Sequence, residues 1–356
     1  MSLVNKLARQ ELIDMVPYQS ARRLQAGNGV FNEKIWLNAN EASGDGIYQV
    51  TSDCINRYPD FQPDNLINAY AAYSALESNQ ILATRGADEG IELIIRTFCQ
   101  SYQDSIVICP PTYGMYAISA ENHSTDVIKV PLIENRLDID GLAEQVGKAK
   151  VVFLCSPGNP TGNILPQEQI KAVLTLFKDE AIVVVDEAYI EFCPETSVSG
   201  WLKDYDNLVV LRTLSKAFAL AGLRCGFTLA SSDIIEMMSK VIAPYPISAP
   251  VADIASRALN LEGLEVMKTR VASTNKLKIE LIEWLSSKSW CSEVFNSDAN
   301  FVLFRTDKKQ EIFDLLLASN ILIRDQSKQV QLDNCLRISI GNSEEIEQLK
   351  SLLNSI

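Results

Sequence analysis

The sequence predicts an α/β protein with a mostly parallel central sheet in a large unit, followed by a smaller α+β unit. Three observations predict it. Short, almost wholly apolar runs at residues 151–155, 182–185 and 208–211, with a further candidate at 105–109, have the composition of strands buried on both faces of a parallel sheet. Amphipathic stretches of helical period, such as residues 87–98 and 167–177, lie between them, and strands alternating with helices imply parallel pairing. After about Pro250 the pattern changes: a long helical stretch at 252–284, strand-like segments at 301–304, 322–324 and 336–340, and a last helix near 343–353. The expected division is an N-terminal segment 1–45 that joins the small domain, a large domain 46–255 and a small α+β domain 256–356.

The chain has 356 residues, enough for about two domains. Its net charge of −13 provides no basic excess for nucleic-acid phosphates or an anionic membrane, although a few arginines inside a cleft can still hold a small anion. The cysteines are scattered without a CxxC pair, and several lie in apolar runs, as in a cytoplasmic protein with reduced core thiols. The first residues carry Glu11 and Asp14 and lack a continuous apolar stretch, which argues against a signal peptide. Leu3, Leu7, Leu12 and Met15 suggest an amphipathic helix there. The single histidine, His123, stands in a polar stretch and reads as a surface loop residue. Ser-His-Asp hydrolysis and histidine-based metal sites are thereby disfavoured, so an enzyme built on this chain must move protons with another side chain.

The ends of the three central runs are chemically loaded. The first leads into Ser156-Pro-Gly-Asn159-Pro-Thr-Gly162, the second into Asp186-Glu-Ala-Tyr189, and the third into Arg212-Thr213-Leu-Ser215-Lys216. Ligands of open α/β sheets gather at such ends. Lys216, with the hydroxyls of Thr213 and Ser215 before it and Arg224 after it, suits a phosphate-bearing aldehyde: the amine forms a Schiff base, and hydroxyls and guanidinium take the phosphate. Taken alone, such a lysine is more often an ordinary solvated one. Asp186 ends an apolar strand, where a carboxylate is costly unless paired; a protonated ring nitrogen is a suitable partner. Tyr189 and Asn159 could both reach an oxygen on the same ring. Asn-Pro-Thr-Gly by itself is equally a plain turn.

Together these motifs change the balance. Asn159-Pro-Thr-Gly162, Asp186-x-x-Tyr189, Ser215-Lys216-x-Phe218 and Gly222-Leu-Arg224-x-Gly226, in this order and spacing, resemble the signature of the class I and II aminotransferases of fold type I, which depend on pyridoxal 5′-phosphate (PLP). The resemblance covers nearly the whole chain. It implies that Lys216 anchors PLP and acts as the catalytic base, with Asp186 on the pyridine nitrogen and Tyr189 and Asn159 on the phenolic oxygen. It implies a phosphate seat of Gly86, Ala87 and Asp88 at a helix N-terminus, joined by Thr213, Ser215 and Arg224, and an aromatic ring, Tyr113, stacked on the cofactor. Arg57-Tyr58-Pro59 resembles the motif whose tyrosine reaches the cofactor phosphate of the neighbouring subunit, which implies a homodimer. Arg337, in Cys335-Leu-Arg-Ile-Ser, corresponds to the anchor of the substrate anion.

Four stretches narrow the resemblance to the histidinol-phosphate branch of the family: Pro17-Tyr18-Gln-Ser-Ala-Arg-Arg23, Trp36-Leu-Asn-Ala-Asn-Glu41, Thr84-Arg-Gly-Ala-Asp-Glu-Gly-Ile-Glu-Leu93 and Ile323-Arg324-Asp-Gln326. That implies L-histidinol phosphate and 2-oxoglutarate as substrates, imidazole-acetol phosphate and L-glutamate as products, and Tyr18, Asn159, Arg324 and Arg337 as substrate contacts, with the division between Tyr18 and Arg324 open. The chain departs from the branch after Glu41, where a proline common in relatives is missing, which leaves the conformation of loop 42–48 open. Three alternatives remain in view: another aminotransferase or a threonine-phosphate-type decarboxylase on the same scaffold, a PLP-binding regulator, and a nicotinamide oxidoreductase. The N-terminal extension is short for the regulator, and no GxGxxG follows an early strand for the oxidoreductase.

Overall fold

The computed structural model describes residues 34–42 and 55–356. The expected N-terminal helix, Tyr18, Cys54 and most of loop 42–48 lie outside the described residues. In chain order the described elements are β1 (Ile35–Trp36), α1 (Asp64–Ser74), β2 (Ile81–Thr84), α2 (Ala87–Phe98), β3 (Ser105–Ile108), α3 (Met115–Asn122), β4 (Asp126–Lys129), α4 (Ile139–Ala143), β5 (Val151–Cys155), α5 (Gln167–Leu176), β6 (Ile182–Asp186), β7 (Leu208–Thr213) and β8 (Gly226–Ala230). There follow α6 (Ser232–Ser239), α7 (Ala249–Ala258), α8 (Leu261–Ser286), β9 (Cys291–Val294), β10 (Phe301–Thr306), α9 (Lys309–Ala318), β11 (Ile321–Leu322), β12 (Arg324–Asp325), β13 (Cys335–Ser339) and α10 (Ser343–Leu353).

The apolar runs become the middle of a seven-stranded sheet ordered β2-β8-β7-β6-β5-β3-β4. Only β8 runs against its neighbours, β2 and β7. Residues alternate between two cores, as the pleat requires. Val152, Leu154, Val183, Val185, Leu208 and Val210 face one core with α1, α5 and α7. Val151, Phe153, Val184, Val209 and Leu211 face the other with α2, α3 and α6. Both faces are covered, which is why these strands are apolar throughout rather than alternating.

A second sheet, β12-β13-β10-β9, is antiparallel and builds a third core with α9, α10 and the end of α8. Helix α8 links the cores: Met267 near its start packs in the first and Leu281 and Leu285 near its end pack in the third. Its 26 residues make a rod of about 39 Å. β1 pairs in parallel with β11, tying residues 35–36 to this smaller unit.

Three expectations are corrected. The helical stretch 252–284 is two helices, because Asn260 caps α8 by accepting from Gly263 N at 2.9 Å. The segment 322–324 is not one strand: Ile321–Leu322 pairs with β1, whereas Arg324–Asp325 pairs with β13, so the chain changes sheet at Ile323. His123 is half-buried rather than a free loop residue; it ends α3, with its ring nitrogen 3.0 Å from the Cys99 carbonyl. Seven cysteines are free among the described residues, and no helix there is long and apolar enough to cross a membrane.

Successive carboxylates at the end of β6 go to opposite faces. Asp186 turns toward the α3 side, where Tyr116 meets it. Glu187 turns to the α1 side and pairs with Arg212 at 2.7 Å, and Glu191 approaches the same guanidinium at 3.6 Å. Ser197 and the Val198 N–H complete the Glu187 carboxylate. Burial pushes Glu191 up to about 7 even beside this arginine. The network fastens the ends of β6 and β7 together from behind.

Gly226 shows how tightly the opposite edge is packed. A Cβ there would lie 2.6 Å from the Gly86 carbonyl carbon and 2.7 Å from Ala87 N, both backbone atoms. Gly226→Ala is expected to destabilise the fold by about 1–3 kcal/mol, the usual size of overpacking, read as a lower urea midpoint. An unchanged midpoint would show that the turn after β2 yields without cost.

Candidate active site

Backbone pairing brings the loaded strand ends together. Cys155 is in register with Asp186, Asp186 with Leu211, Thr213 with Gly226, and Gly226 with Thr84. The turn after β2, the turn after β7 and the entry to β8 therefore meet at one edge. Above them a cavity of 390 Å³ lies between the large sheet and residues 324–337 of the small one, with residues 38–41 on its wall. Asp186, Tyr189, Lys216, Ala87, Asp88, Tyr113, Asn159, Thr213, Ser215, Arg224, Arg324 and Arg337 all line it.

Lys216 stands one turn beyond β7. Its Nζ donates to the Ala39 carbonyl at 3.2 Å and lies 5.6 Å from the centre of the Tyr189 ring. Burial, helped by the Arg337 charge, lowers its amine to about 8. Asp186 is buried, accepts from the Tyr116 hydroxyl at 2.7 Å and from Ala188 N at 3.1 Å. Burial nevertheless raises its carboxyl to about 6. Two hydrogen bonds do not offset the loss of water around this charge, so the site favours a cationic partner there.

A second group sits at the N-terminus of α2. Gly86 takes φ +79°, and a Cβ on it would come within 2.6 Å of the Arg224 guanidinium. It forms the turn behind Ala87 rather than the cavity wall. Arg224 reaches Asp88 at 3.3 Å and Ser215 at 3.4 Å, and the Thr213 hydroxyl donates to Ser215 Oγ at 2.8 Å. Asp88 also accepts from the Tyr113 hydroxyl at 3.0 Å. A helix start that no side chain caps thus meets two hydroxyls and a guanidinium, an arrangement suited to a phosphate.

The third group spans the sheets. Arg337, buried on β13, donates to Asn159 Oδ1 at 2.6 Å and to the Asn38 carbonyl at 3.2 Å. Asn159 and Asn40 donate to the Tyr189 hydroxyl at 3.2 and 3.0 Å. Arg324 on β12 is in register with Arg337 on β13 and lines the same cavity. Four cationic and three acidic side chains line this space in a chain of net charge −13.

Tyr58 is not brought to the cavity. Its ring is 82% exposed and stacks on Tyr245 at 4.5 Å. Tyr18 lies outside the described residues. Sequence reasoning missed Asn40, Tyr116 and Glu41. Asn40 lay in a quoted motif, but nothing local marks its partner. Tyr116 reads as an apolar helix residue and gives no signal of a carboxylate beside its hydroxyl.

The sequence pattern of the family described as aminotransferase class I and II matches residues 32–353. The chain belongs to this family. The aminotransferase is 61% identical over 369 aligned residues to a histidinol-phosphate aminotransferase of Colwellia psychrerythraea, covering 99% of this chain and all of that one. It is 51% identical to a protein of the same description from Yersinia pseudotuberculosis, covering 98% and 91% of the two chains. Its fold matches the crystal structure of a Sinorhizobium meliloti histidinol-phosphate aminotransferase in complex with pyridoxal 5′-phosphate, with a TM-score of 0.86, 23% identity and 98% of each chain covered.

The lowered Lys216 amine gives a direct test. Labelling of Lys216 by trinitrobenzenesulfonate requires the neutral amine, so in protein freed of ligands it should rise with pH through about 8, measured by peptide mass spectrometry. A midpoint in the ordinary lysine range would contradict the effect of burial.

Proposed function

We propose that this aminotransferase transfers the amino group of L-histidinol phosphate to 2-oxoglutarate, giving imidazole-acetol phosphate and L-glutamate, with PLP in the cavity. One observation carries the reading: an amine, a buried carboxylate and a phosphate seat face one cavity that also holds two further guanidinium groups, Arg324 and Arg337. Full-length identity of 61% to a histidinol-phosphate aminotransferase supports the substrate.

The residues fit the cofactor. The Asp186 carboxyl, raised to about 6 by burial, is relieved by a protonated pyridine nitrogen. The start of α2 with Ser215 and Arg224 takes the phosphate, and Lys216 offers the amine that holds the aldehyde carbon. When bound, PLP supplies the electron sink that makes the substrate α-proton removable. Lys216, its affinity for protons reduced by burial and by Arg337, is the group that takes this proton and returns it. Asp186 remains ionised against the ring nitrogen. Tyr189 and Asn159 would hold the ring oxygen, and Tyr113, which lines the same cavity, would cover the ring.

Arg337 explains how one site serves two substrates. Histidinol phosphate carries a phosphate ester, and 2-oxoglutarate carries carboxylates. A guanidinium presents a planar fork of donors that matches either anion. Its orientation is held by Asn159 and the Asn38 carbonyl. Arg324 and Tyr18 assist at the anionic end. Tyr58 serves the cavity of a second subunit in a homodimer, a role supported by its exposure and by its absence from the lining of this chain's own cavity.

Stopped-flow absorbance of the bound cofactor tests the substrate. Histidinol phosphate should convert the visible band at a saturable rate, and phenylalanine and threonine phosphate should react about a hundredfold less efficiently. Faster conversion by either would overturn the choice of substrate. Lys216→Ala should lose the band and nearly all turnover. Arg337→Ala should lower kcat/KM for both substrates about ten- to a hundredfold, the worth of a charge-assisted hydrogen bond, and an effect on one substrate alone would contradict the shared anion seat.

A further inference from the structure

Asn40 is buried in the wall between the small sheet and the cavity, with every polar atom engaged. Its backbone N–H donates to Ser339 Oγ at 2.8 Å, and the Ser339 hydroxyl donates to its Oδ1 at 3.0 Å. Its carbonyl accepts from Asn300 Nδ2 at 3.0 Å. It holds φ +55°, a conformation that asparagine tolerates better than most residues. Nδ2 alone points to the large domain, where it meets the Tyr189 hydroxyl at 3.0 Å.

The direction of these hydrogen bonds follows from chemistry. Ser339 Oγ already accepts the Asn40 N–H, so its own proton goes to Asn40 Oδ1, and this turns Nδ2 toward Tyr189. Arginine can only donate. Arg337 therefore takes Asn159 Oδ1 and turns Asn159 Nδ2 toward the same phenol. Tyr189 oxygen accepts two amide protons, so its own proton must be given to something in the cavity. Burial holds the phenol well above its ordinary range, so that proton is retained at neutral pH.

We propose that Asn40 is a positioning residue: it fixes the Tyr189 hydroxyl as a donor to the ring oxygen of the cofactor, and so sets the pH at which the nitrogen joining Lys216 to the cofactor loses its proton. This rests on the reading of the cavity as a PLP site. A hydrogen bond to the anionic ring oxygen withdraws charge from it, and that charge is what retains the proton on the neighbouring nitrogen. Without Asn40 the phenol turns more freely, donates less, and the nitrogen keeps its proton to higher pH. The other charged groups facing Lys216 and Tyr189 are Asp186 from β6, Asp88 from α2, Glu41 beside Asn40, Arg337 from β13 and Arg224 ahead of β8, with the Cys155 thiol at the end of β5. None of them is hydrogen-bonded to the Asn40 side chain, whose partners are Tyr189 and Ser339.

The test is a spectrophotometric pH titration of the visible band of the PLP-loaded enzyme. Asn40→Gly removes the amide and accepts the positive φ, and it should raise the titration midpoint by roughly half a unit to one unit, the size of one lost hydrogen bond. In a Tyr189→Phe background the same substitution should add nothing, since the effect passes through the phenol. Ser339→Ala, which loosens Asn40 without removing it, should shift the midpoint in the same direction by less, and it serves if Asn40→Gly does not fold. A wild-type midpoint in either folded variant, or a shift that persists beside Tyr189→Phe, overturns the inference alone. A wild-type protein that never shows the band overturns the cofactor reading and this inference with it.

Discussion

The register of the large sheet is the constraint on which everything above it depends. Parallel pairing sets Asp186 beside Cys155 and Leu211, and the reversed strand β8 sets Gly226 between Thr213 and Thr84. An amine from one turn, a carboxylate from a second and a helix start from a third thereby reach one edge without any of them being close in sequence. The requirement is strict because Gly226 admits no side chain between β8 and the turn at Gly86. Behind the edge, Arg212 joins the ends of β6 and β7 through buried charge, a contact that is costly to break because either partner left alone is a desolvated ion.

Over this edge the smaller sheet contributes the anion end of the site. Arg337 comes from β13, but its orientation is decided by Asn159 of the large sheet and by the carbonyl of Asn38. The segment 38–41 thus belongs to both units: Leu37 packs in the third core, while Asn40 and the Ala39 carbonyl touch Tyr189 and Lys216. The polar groups of the cavity form one connected set, in which the position of each depends on partners from other elements.

Much of this was legible in the sequence because the signals are local. An apolar run followed by Asn-Pro-Thr-Gly, by Asp-x-x-Tyr or by Ser-Lys announces a buried strand and a loaded end in a few residues. Arg337 and the turn at Gly86–Asp88 carry similar short motifs. What was not legible depends on partners far along the chain. Asn40 acquires its role from Tyr189 and Ser339, and Tyr116 from Asp186. β2 and β8 are recognisable mainly through each other, and β4 is an edge strand whose half-exposed pattern carries little apolar signal. The break at Asn260 carries little local signal, because helical period continues on both sides of that single capping residue.

The alternation at the end of β6 has a further consequence. Two adjacent carboxylates have opposite fates: Glu187 meets an internal guanidinium, while Asp186 faces the cavity with a phenol and a backbone N–H for company. Their assignment depends only on which side of the pleat each falls. Inserting or deleting one residue in β6 would exchange them, presenting the longer acid to the ligand and turning the shorter one toward Arg212. The length of this strand, counted in single residues, is therefore as much a part of the chemistry as the identity of the aspartate, and natural variation in the loops on either side has to leave that count intact.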